Sequence, residues 1–266
     1  MTMMMKHDTV ALEFVEDGTI AVIRLNRPSA LNTLNPQLAT DFNAVLDTLI
    51  AHEGLRAVVV TGNGKAFCAG GDLAAFKTAH NPGQFLHDLA SKFHEAVMKI
   101  RNMDAPFIAA INGSCFGVGL SLACVCDFRI AVEGAKFSVA FTGVGLSPDS
   151  GLPYFLPRIV GLAVATDLAL LNLVIDANRA LEINLVSNVT KGDVVADGIE
   201  LAKKLAGMPT KALGIVKRLY NDAFSDTLSE HLSKEVRGVA ESAATADFKE
   251  GCAAFFEKRK PSFKGK

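Results

Sequence analysis

Two apolar, β-branched segments on either side of one amphipathic segment constrain the fold of this chain more than any other feature. The segments TIAVIRLNRP (19–28) and LRAVVVTGNG (55–64) have the composition of strands, and each ends in turn-forming residues. Between them, Asn35 and Pro36 mark a helix start, and apolar residues then follow at three-to-four spacing. A strand, a helix and a second strand in this order predict an α/β fold.

Further strands are predicted in the middle of the chain. PFIAAING (106–113) is a third apolar segment that ends in a turn signal, and FRIAVEGAKFSV (128–139) divides into two short strands around Glu133 and Gly134. These segments extend the alternation of strands with helices.

The pattern changes from about residue 160 onward, where the sequence predicts helices only. An almost entirely apolar helix is expected at 162–175, followed by a helical unit at 177–190 and two more that end at Gly or Pro. We therefore predict a core with the ligand site over residues 1–195 and a helical C-terminal region over residues 196–266.

Charge and hydropathy exclude several classes of partner. Lys and Arg number 27 against 28 Asp and Glu, a formal charge of -1, so the whole molecule has no electrostatic attraction to nucleic acid or an anionic membrane. Only five residues precede Lys6, too few for the apolar part of a secretion signal. No apolar run approaches the ~20 residues of a membrane span. These features predict a soluble, cytoplasmic protein without nucleic-acid or membrane partners.

The sequence does not predict a metal site or a disulfide. The five cysteines lack CxxC spacing and a neighbouring histidine cluster, and they are interpreted as small buried hydrophobic residues. His80, His87 and His94 recur at every seventh residue, which predicts one face of a solvated or lid helix rather than a metal site.

Two glycine-rich segments each follow a predicted strand. They are GNGKAFCAGGDLAAF (62–76) and INGSCFGVGLSLACVCD (111–127), and neither has the spacing of a P-loop or of G-x-G-x-x-G. Backbone N–H groups in such loops can point at one developing negative charge, so the pair could form an oxyanion hole. The alternative is that the glycines only allow a strand and a helix to approach closely.

A lone acid, Asp149, lies in the almost uncharged segment GLSPDSGLPYFLPRIVG (145–161). Its position between Pro148 and Ser150, before an apolar run, is typical of a helix N-cap. The apolar neighbours could instead form a pocket that raises the pKa of the carboxyl group towards that of a working base. Both interpretations follow from the residues.

Five segments together resemble the enoyl-CoA hydratase/isomerase (crotonase) superfamily, in the family's order and over nearly the whole chain. They are IRLNRPSALNTLN (23–35), GKAFCAGGDL (64–73), AAINGSCFGVGLSLACVCDFRIA (109–131), the segment around Asp149, and AAFFEKRKPSF (253–263). The resemblance implies a spiral of repeated ββα units with a helical C-terminal trimerisation region. It also implies an acyl-CoA substrate, a homotrimer or hexamer, and no cofactor beyond the coenzyme A of the substrate.

The resemblance also assigns site residues. The thioester oxygen would accept hydrogen bonds from the backbone N–H groups of Gly71 and Val118, and Val118 stands where the family usually has glycine. That exchange matters only if the backbone there needs a positive φ. The remaining substrate-binding positions implied by the family are Ala66, Ala69, Asp72, Leu73 and Phe141, with Phe255 and Lys258 of the C-terminal tail contacting the same or a neighbouring ligand.

The catalytic positions indicate which reaction to expect. The two glutamates of the family's hydratases fall on Ser121 and Phe141, so hydration by the two-glutamate route is disfavoured. Asp149 falls where several double-bond isomerases of the family carry their single acid. The resemblance therefore predicts a 3-enoyl-CoA to 2-enoyl-CoA isomerase. The alternatives are a hydratase-like or ring-opening enzyme for another acyl-CoA and a catalytically silent acyl-CoA-binding homologue.

Overall fold

A computed structural model describes residues 4–266, so Met1, Thr2 and Met3 lie outside the described residues. The strands are β1 (Met4–Lys6), β2 (Val10–Val15), β3 (Ile20–Leu25), β4 (Ala57–Gly62), β5 (Ala66–Cys68), β6 (Phe107–Ile111), β7 (Ser114–Phe116), β8 (Phe128–Val132), β9 (Lys136–Ser138), β10 (Val174–Asp176) and β11 (Asn188–Thr190). The α-helices are α1 (Pro36–Ala51), α2 (Leu73–Thr78), α3 (Pro82–Asn102), α4 (Val118–Val125), α5 (Leu152–Val160), α6 (Leu162–Leu170), α7 (Ala177–Glu182), α8 (Val194–Ala206), α9 (Thr210–Asp222), α10 (Leu228–Ala243) and α11 (Ala246–Phe256).

The strands form two sheets that are built in alternation. The larger has the order β1-β2-β3-β4-β6-β8-β11, and the smaller has the order β10-β9-β7-β5. The strands from β3 to β11 in the larger sheet are parallel, as are β5, β7 and β9 in the smaller one. From β4 to β9, each turn of the chain adds one strand to the larger sheet and then one strand to the smaller sheet before a helix follows. This is the pattern of a spiral of ββα units. The predicted fold class is confirmed.

Helices cover both faces of the larger sheet. All six residues of β4 are buried, and α1 lies against one face of the sheet. The other face is covered by α8, whose Val194, Ala202 and Leu205 pack against a second apolar cluster that includes Val59 and Ile108. The division of the chain at residue 195 stays a prediction.

The main strand and helix predictions of the first part of the chain are confirmed. The segments at 19–28, 55–64 and 106–113 contain β3, β4 and β6. The side chain of Asn35 caps α1 by accepting a hydrogen bond from the N–H of Leu38 at 2.9 Å. These elements were recognisable because each follows its own local periodicity.

The prediction that the chain is entirely helical after residue 160 is wrong at two places. Val174–Asp176 pairs antiparallel with β9, and Asn188–Thr190 pairs parallel with β8. Each strand has only three residues and forms because it meets the open edge of an existing sheet, which local periodicity does not encode. The expected helix across His80 is also interrupted, since α2 ends at Thr78 and α3 begins at Pro82.

Residues 4–266 contain neither a candidate membrane-spanning helix nor a candidate metal cluster. None of the helices there is both long enough and apolar enough to cross a bilayer. No three His, Cys, Asp or Glu side chains in the same residues converge in the way a metal ion would require.

Candidate active site

A cavity of about 310 Å³ lies between the two glycine-rich segments and the segment that carries Asp149. Part of its wall comes from α2 and α3, and most of its lining is apolar. Among the residues implied by the family, the following line it: Ala69, Gly71, Leu73, Val118, Phe141 and Asp149. The structure therefore brings both expected N–H donors and the lone acid to one enclosed space.

The first glycine-rich segment leaves the N–H group of Gly71 free. On either side of it, the N–H groups of Ala69 and Asp72 are used within the protein, donating to backbone carbonyls at 3.0 and 2.9 Å. The N–H of Gly71 between them finds no acceptor within residues 4–266. Because it lines the cavity, this N–H is available to a ligand oxygen.

The second segment supplies a free N–H at the start of a helix. Gly117 precedes α4 with φ 53°, a backbone conformation that favours glycine. Val118 is the first residue of α4, is not among the residues with positive φ, and its N–H has no acceptor in the described part of the chain. The exchange of the family's glycine for Val118 therefore causes no backbone strain, and the helix start favours negative charge beside it.

Gly119 allows the two glycine-rich segments to pack closely against each other. A Cβ atom at this position would lie 2.1 Å from the backbone oxygen of Cys68, far inside van der Waals contact. Only glycine lets the first turn of α4 approach β5 this closely. The close approach, which the sequence offered as the alternative to an oxyanion hole, is therefore present, and it coexists with two free N–H groups that line one cavity.

Asp149 is half-buried at the cavity wall, and desolvation raises the pKa of its carboxyl group. Neighbouring polar groups lower this pKa less than burial raises it. No cation of the described residues forms a salt bridge with this carboxylate. A carboxyl group in such surroundings is suited to accepting a proton.

The helix-cap interpretation of Asp149 is wrong. The N-cap of α5 is Gly151, and no side chain caps this helix. Only the backbone carbonyl of Asp149 takes part in the turn, accepting a hydrogen bond from the N–H of Leu152 at 3.0 Å. The carboxylate is thus left for the cavity.

The peptide group between Asp149 and Ser150 is bonded at both of its polar atoms. The hydroxyl of Ser121, a fully buried residue of α4, donates to the carbonyl of Asp149 at 3.1 Å. The N–H of Ser150 donates to Nε2 of His94 on α3 at 3.2 Å. Sequence reasoning missed His94 in this setting, because its partner lies 56 positions away in the chain.

The two positions of the family's hydratase glutamates hold no acid in this fold either. Phe141 is half-buried and lines the cavity, whereas Ser121 lies behind it with no exposed surface. Asp149 is the one carboxylate among the lining residues described. The site therefore offers one group for proton transfer.

The other implied binding residues lie outside this cavity. Ala66 is buried in β5, and Asp72 caps α2 and forms a salt bridge with Arg27 at 2.8 Å. Phe255 is 78% exposed on α11 and lines a separate apolar cavity of about 440 Å³, while Lys258 is exposed just beyond the helix. Within one chain the structure does not bring Phe255 and Lys258 to Asp149.

Asn32 is a further contributor that the sequence did not reveal. Its fully buried side chain donates to the carbonyls of Asn63 and Ala66 at 3.0 and 2.8 Å and accepts from the N–H of Arg27 at 2.8 Å. Asn32 thereby fixes the first glycine-rich segment to the turn after β3. An Asn in a turn is a weak signal, since turns favour Asn for local reasons as well.

Other polar candidates have structural roles. The carboxylate of Asp127 accepts a hydrogen bond from the N–H of Phe107 at 2.8 Å and forms salt bridges with Arg101 and Lys217, so its role is structural. Burial raises the pKa of the Cys68 thiol to about 11, so this cysteine behaves as a hydrophobic residue. The prediction of burial holds for the other cysteines except Cys252, which is exposed.

A larger cavity of about 980 Å³ shares no lining residue with the Asp149 cavity. It is lined by charged side chains of both signs, including Arg56, Lys99 and Glu241. The combination of free backbone N–H groups with a desolvated acid is found in the smaller cavity.

Comparison with known proteins agrees with this geometry. The family model "Enoyl-CoA hydratase/isomerase" matches residues 16–266. The chain is 35% identical to the 1,2-epoxyphenylacetyl-CoA isomerase of Escherichia coli over 96% of this chain and 98% of that protein. It is 36% identical to a "Probable enoyl-CoA hydratase" of Rhodobacter capsulatus over 98% of this chain and 100% of that protein.

A solved structure shows the same likeness in three dimensions. The enoyl-CoA hydratase of Bacillus anthracis is 30% identical and superimposes with a TM-score of 0.87, over 100% of this chain and 99% of that one. From its fold, its cavity and these relatives, the chain belongs to the enoyl-CoA hydratase/isomerase family.

Proposed function

We propose that this protein is an enoyl-CoA isomerase that converts a 3-enoyl-CoA to a 2-enoyl-CoA. Asp149 removes a proton from C2, the electron pair of that C–H bond forms a double bond between C1 and C2, and the π electrons of the thioester carbonyl move onto its oxygen. The N–H groups of Gly71 and Val118 stabilise the resulting dienolate. The protonated Asp149 returns the proton at C4, so the product has the same atoms as the substrate and no further cofactor is needed.

The observation that carries this proposal is the pairing of two free N–H groups with one desolvated acid in a single cavity. A 1,3-proton shift needs one group that accepts and returns the same proton. Water addition needs groups that hold and deprotonate a water, and Phe141 stands at one of those positions as an apolar side chain. The apolar lining of the cavity favours an apolar acyl group.

The test is to incubate the protein with 3-enoyl-CoA and to measure the formation of the conjugated 2-enoyl-CoA, which has the same mass as the substrate. Wild-type turnover with loss of activity in Asp149→Asn is the expected result. Accumulation of 3-hydroxyacyl-CoA, which has gained one water, would instead identify a hydratase. Binding of acyl-CoA without any conversion would identify a catalytically silent homologue.

A second candidate reaction is ring opening of an epoxide-bearing acyl-CoA. It is favoured by the likeness to the E. coli protein named 1,2-epoxyphenylacetyl-CoA isomerase and by the aromatic residues Phe76 and Phe141 in the cavity lining. Assaying 3-enoyl-CoA and 1,2-epoxyphenylacetyl-CoA side by side separates the two, since kcat/KM should be at least about tenfold higher for the preferred substrate.

We further propose that the protein assembles as a trimer or hexamer, in which Phe255 and Lys258 contact the coenzyme A bound to a neighbouring subunit. Two features support this. Phe255 and Phe256 are 78% and 81% exposed, and both line a cavity separate from the one that contains Asp149. If the assembly forms, Lys258→Ala should raise KM for acyl-CoA and leave kcat unchanged.

A further inference from the structure

We infer that Ser121 and His94 are positioning residues that clamp the Asp149–Ser150 peptide and so direct the Asp149 carboxylate into the cavity. The inference rests on the proposed function for its kinetic consequence, but the clamp itself is independent of it. The clamp is formed by side chains from two helices, Ser121 on α4 and His94 on α3.

The clamp acts on both polar atoms of one peptide plane. Ser121 holds the carbonyl from the buried side, and His94 holds the N–H from the side of α3, at 3.1 and 3.2 Å. Rotation of this plane would break both bonds, together with the turn bond from the N–H of Leu152 to the same carbonyl at 3.0 Å. The plane also sets the ψ angle of Asp149, and the backbone angles of a residue restrict which side-chain rotamers it can adopt.

The backbone directly after Asp149 has an unfavourable conformation that the two hydrogen bonds help to stabilise. Ser150 has φ 54° and Gly151 has φ 83°, two successive left-handed residues directly after Asp149. The left-handed conformation is unfavourable for serine, so it persists only where the surroundings impose it. Ser150 is also buried, and its hydroxyl has no hydrogen-bond partner among the described residues.

His94 continues the row of α3 residues that faces the cavity. Leu86 and Ala90, which line the cavity, precede it by two turns and one turn of the helix. His94 is exposed to solvent, so water can replace it as an acceptor for the Ser150 N–H. Water would satisfy the bond but would not fix its direction. The loss of His94 should therefore affect catalysis more than stability.

The kinetic test compares His94→Leu, His94→Gln and Ser121→Ala. We expect His94→Leu and Ser121→Ala each to lower kcat by about tenfold with KM within about twofold of wild type, because a misdirected base slows the reaction without removing a binding contact. His94→Gln, whose amide oxygen can accept the same hydrogen bond, should keep kcat within about threefold of wild type. His87→Leu, an exposed residue of the same helix, is the matched control and should be unchanged.

The double variant shows whether the two residues act on one peptide. The turn bond from the N–H of Leu152 to the Asp149 carbonyl, at 3.0 Å, remains in every variant and holds the plane only in part. Loss of either clamp bond already lets the plane tilt, so the second change should cost less than it does alone, and the combined loss in kcat should be smaller than the product of the single losses. Strictly multiplicative losses would contradict a shared clamp. Equal losses in His94→Leu and His94→Gln would contradict the role of the hydrogen bond.

Amide hydrogen exchange at Ser150 tests the clamp without the reaction. We expect exchange to be about tenfold faster in His94→Leu and in Ser121→Ala than in wild type, and unchanged in His87→Leu. Unchanged exchange in both clamp variants would refute the clamp. If exchange responds while kcat does not, the positioning role is refuted. Failure of the wild type to convert 3-enoyl-CoA would refute only the proposed isomerase, because the exchange result would stand.

Discussion

Asp149 has the features that the proposed isomerisation requires of a base, and its surroundings predict how activity should depend on pH. Desolvation raises the pKa of its carboxyl group above the ordinary value for aspartate. Because the base must be unprotonated, kcat/KM should fall as the pH drops through this raised pKa, at a higher pH than for an exposed aspartate. A pH-rate profile measures the midpoint. A midpoint at or below the ordinary aspartate value would contradict the assignment.

The ionised carboxylate of Asp149 should lower the free energy of unfolding of the protein. An acid whose folded pKa is raised binds its proton more tightly when folded, so its favourable contribution is present at low pH and is lost as the pH rises through the folded pKa. Asp149→Asn should therefore abolish isomerisation while leaving the free energy of unfolding at pH 8 equal to or higher than that of wild type. Denaturant titration of both proteins measures this, and a clear loss of stability in the variant would contradict it.

The proposed oxyanion hole should be sensitive to the size of the residue at position 119. A methyl group there meets the backbone of Cys68, which cannot move aside as a flexible side chain could. Gly119→Ala should displace the start of α4, separate Val118 from Gly71, and lower kcat by about a hundredfold, the effect of losing one oxyanion donor. Gly134→Ala is the control, since a Cβ atom at Gly134 meets nothing within 4 Å. Steady-state kinetics and thermal melting of both variants, with circular dichroism to verify folding, provide the measurement.

At the scale of elements, local patterns identified those parts of the fold that are decided locally. The strands β3, β4 and β6 and the cap of α1 follow from short apolar runs and one Asn-Pro pair. The strands β10 and β11 were predicted as helix because their three-residue pairings depend on β9 and β8, which lie far away in sequence. What periodicity could not supply was the location of sheet edges.

The candidate site shows the same division. The gathering of Gly71, Val118 and Asp149 in one cavity was expected only from the family resemblance, and the cavity lining agrees with it. Asn32 and His94 were missed, since each acts through a hydrogen bond to backbone more than 30 positions away. Such contacts are properties of the assembled elements and leave no periodic trace in the sequence.

The side-chain amide of Asn32 should stabilise the first glycine-rich segment, and a substitution at this position tests that role. Asn32→Asp keeps the size of the side chain and its acceptor for Arg27 but removes the two donors to Asn63 and Ala66. Two buried carbonyls then face a carboxylate, so the variant should lose about 2 kcal/mol or more of unfolding free energy. Denaturant unfolding measures the loss. Asn35→Asp, a change of the same type at a helix cap, should be nearly neutral because Asp also caps helices well.

At the scale of the whole molecule, the exposed apolar surface is larger than a solitary chain needs. On α10 the residues Leu228, Leu232, Val236 and Val239 are between 48% and 75% exposed and recur at helical spacing, while Gly238 alone is buried. A row of this kind is typical of a helix that packs against another protein surface. The unpartnered row supports the proposed assembly.

The assembly can be tested on that row. Val236→Asp places a charge on a side chain that is 67% exposed in the single chain, so the fold of the protomer should survive. If the row lies in an interface, the buried charge should shift the protein from trimer or hexamer towards monomer, with a rise of at least about tenfold in the dissociation constant. Arg237→Gln makes the same change in charge away from the row and should leave the assembly intact. Sedimentation velocity on the two variants and the wild type measures the outcome, and a monomeric wild type, or equal assembly of all three, would contradict the role of α10.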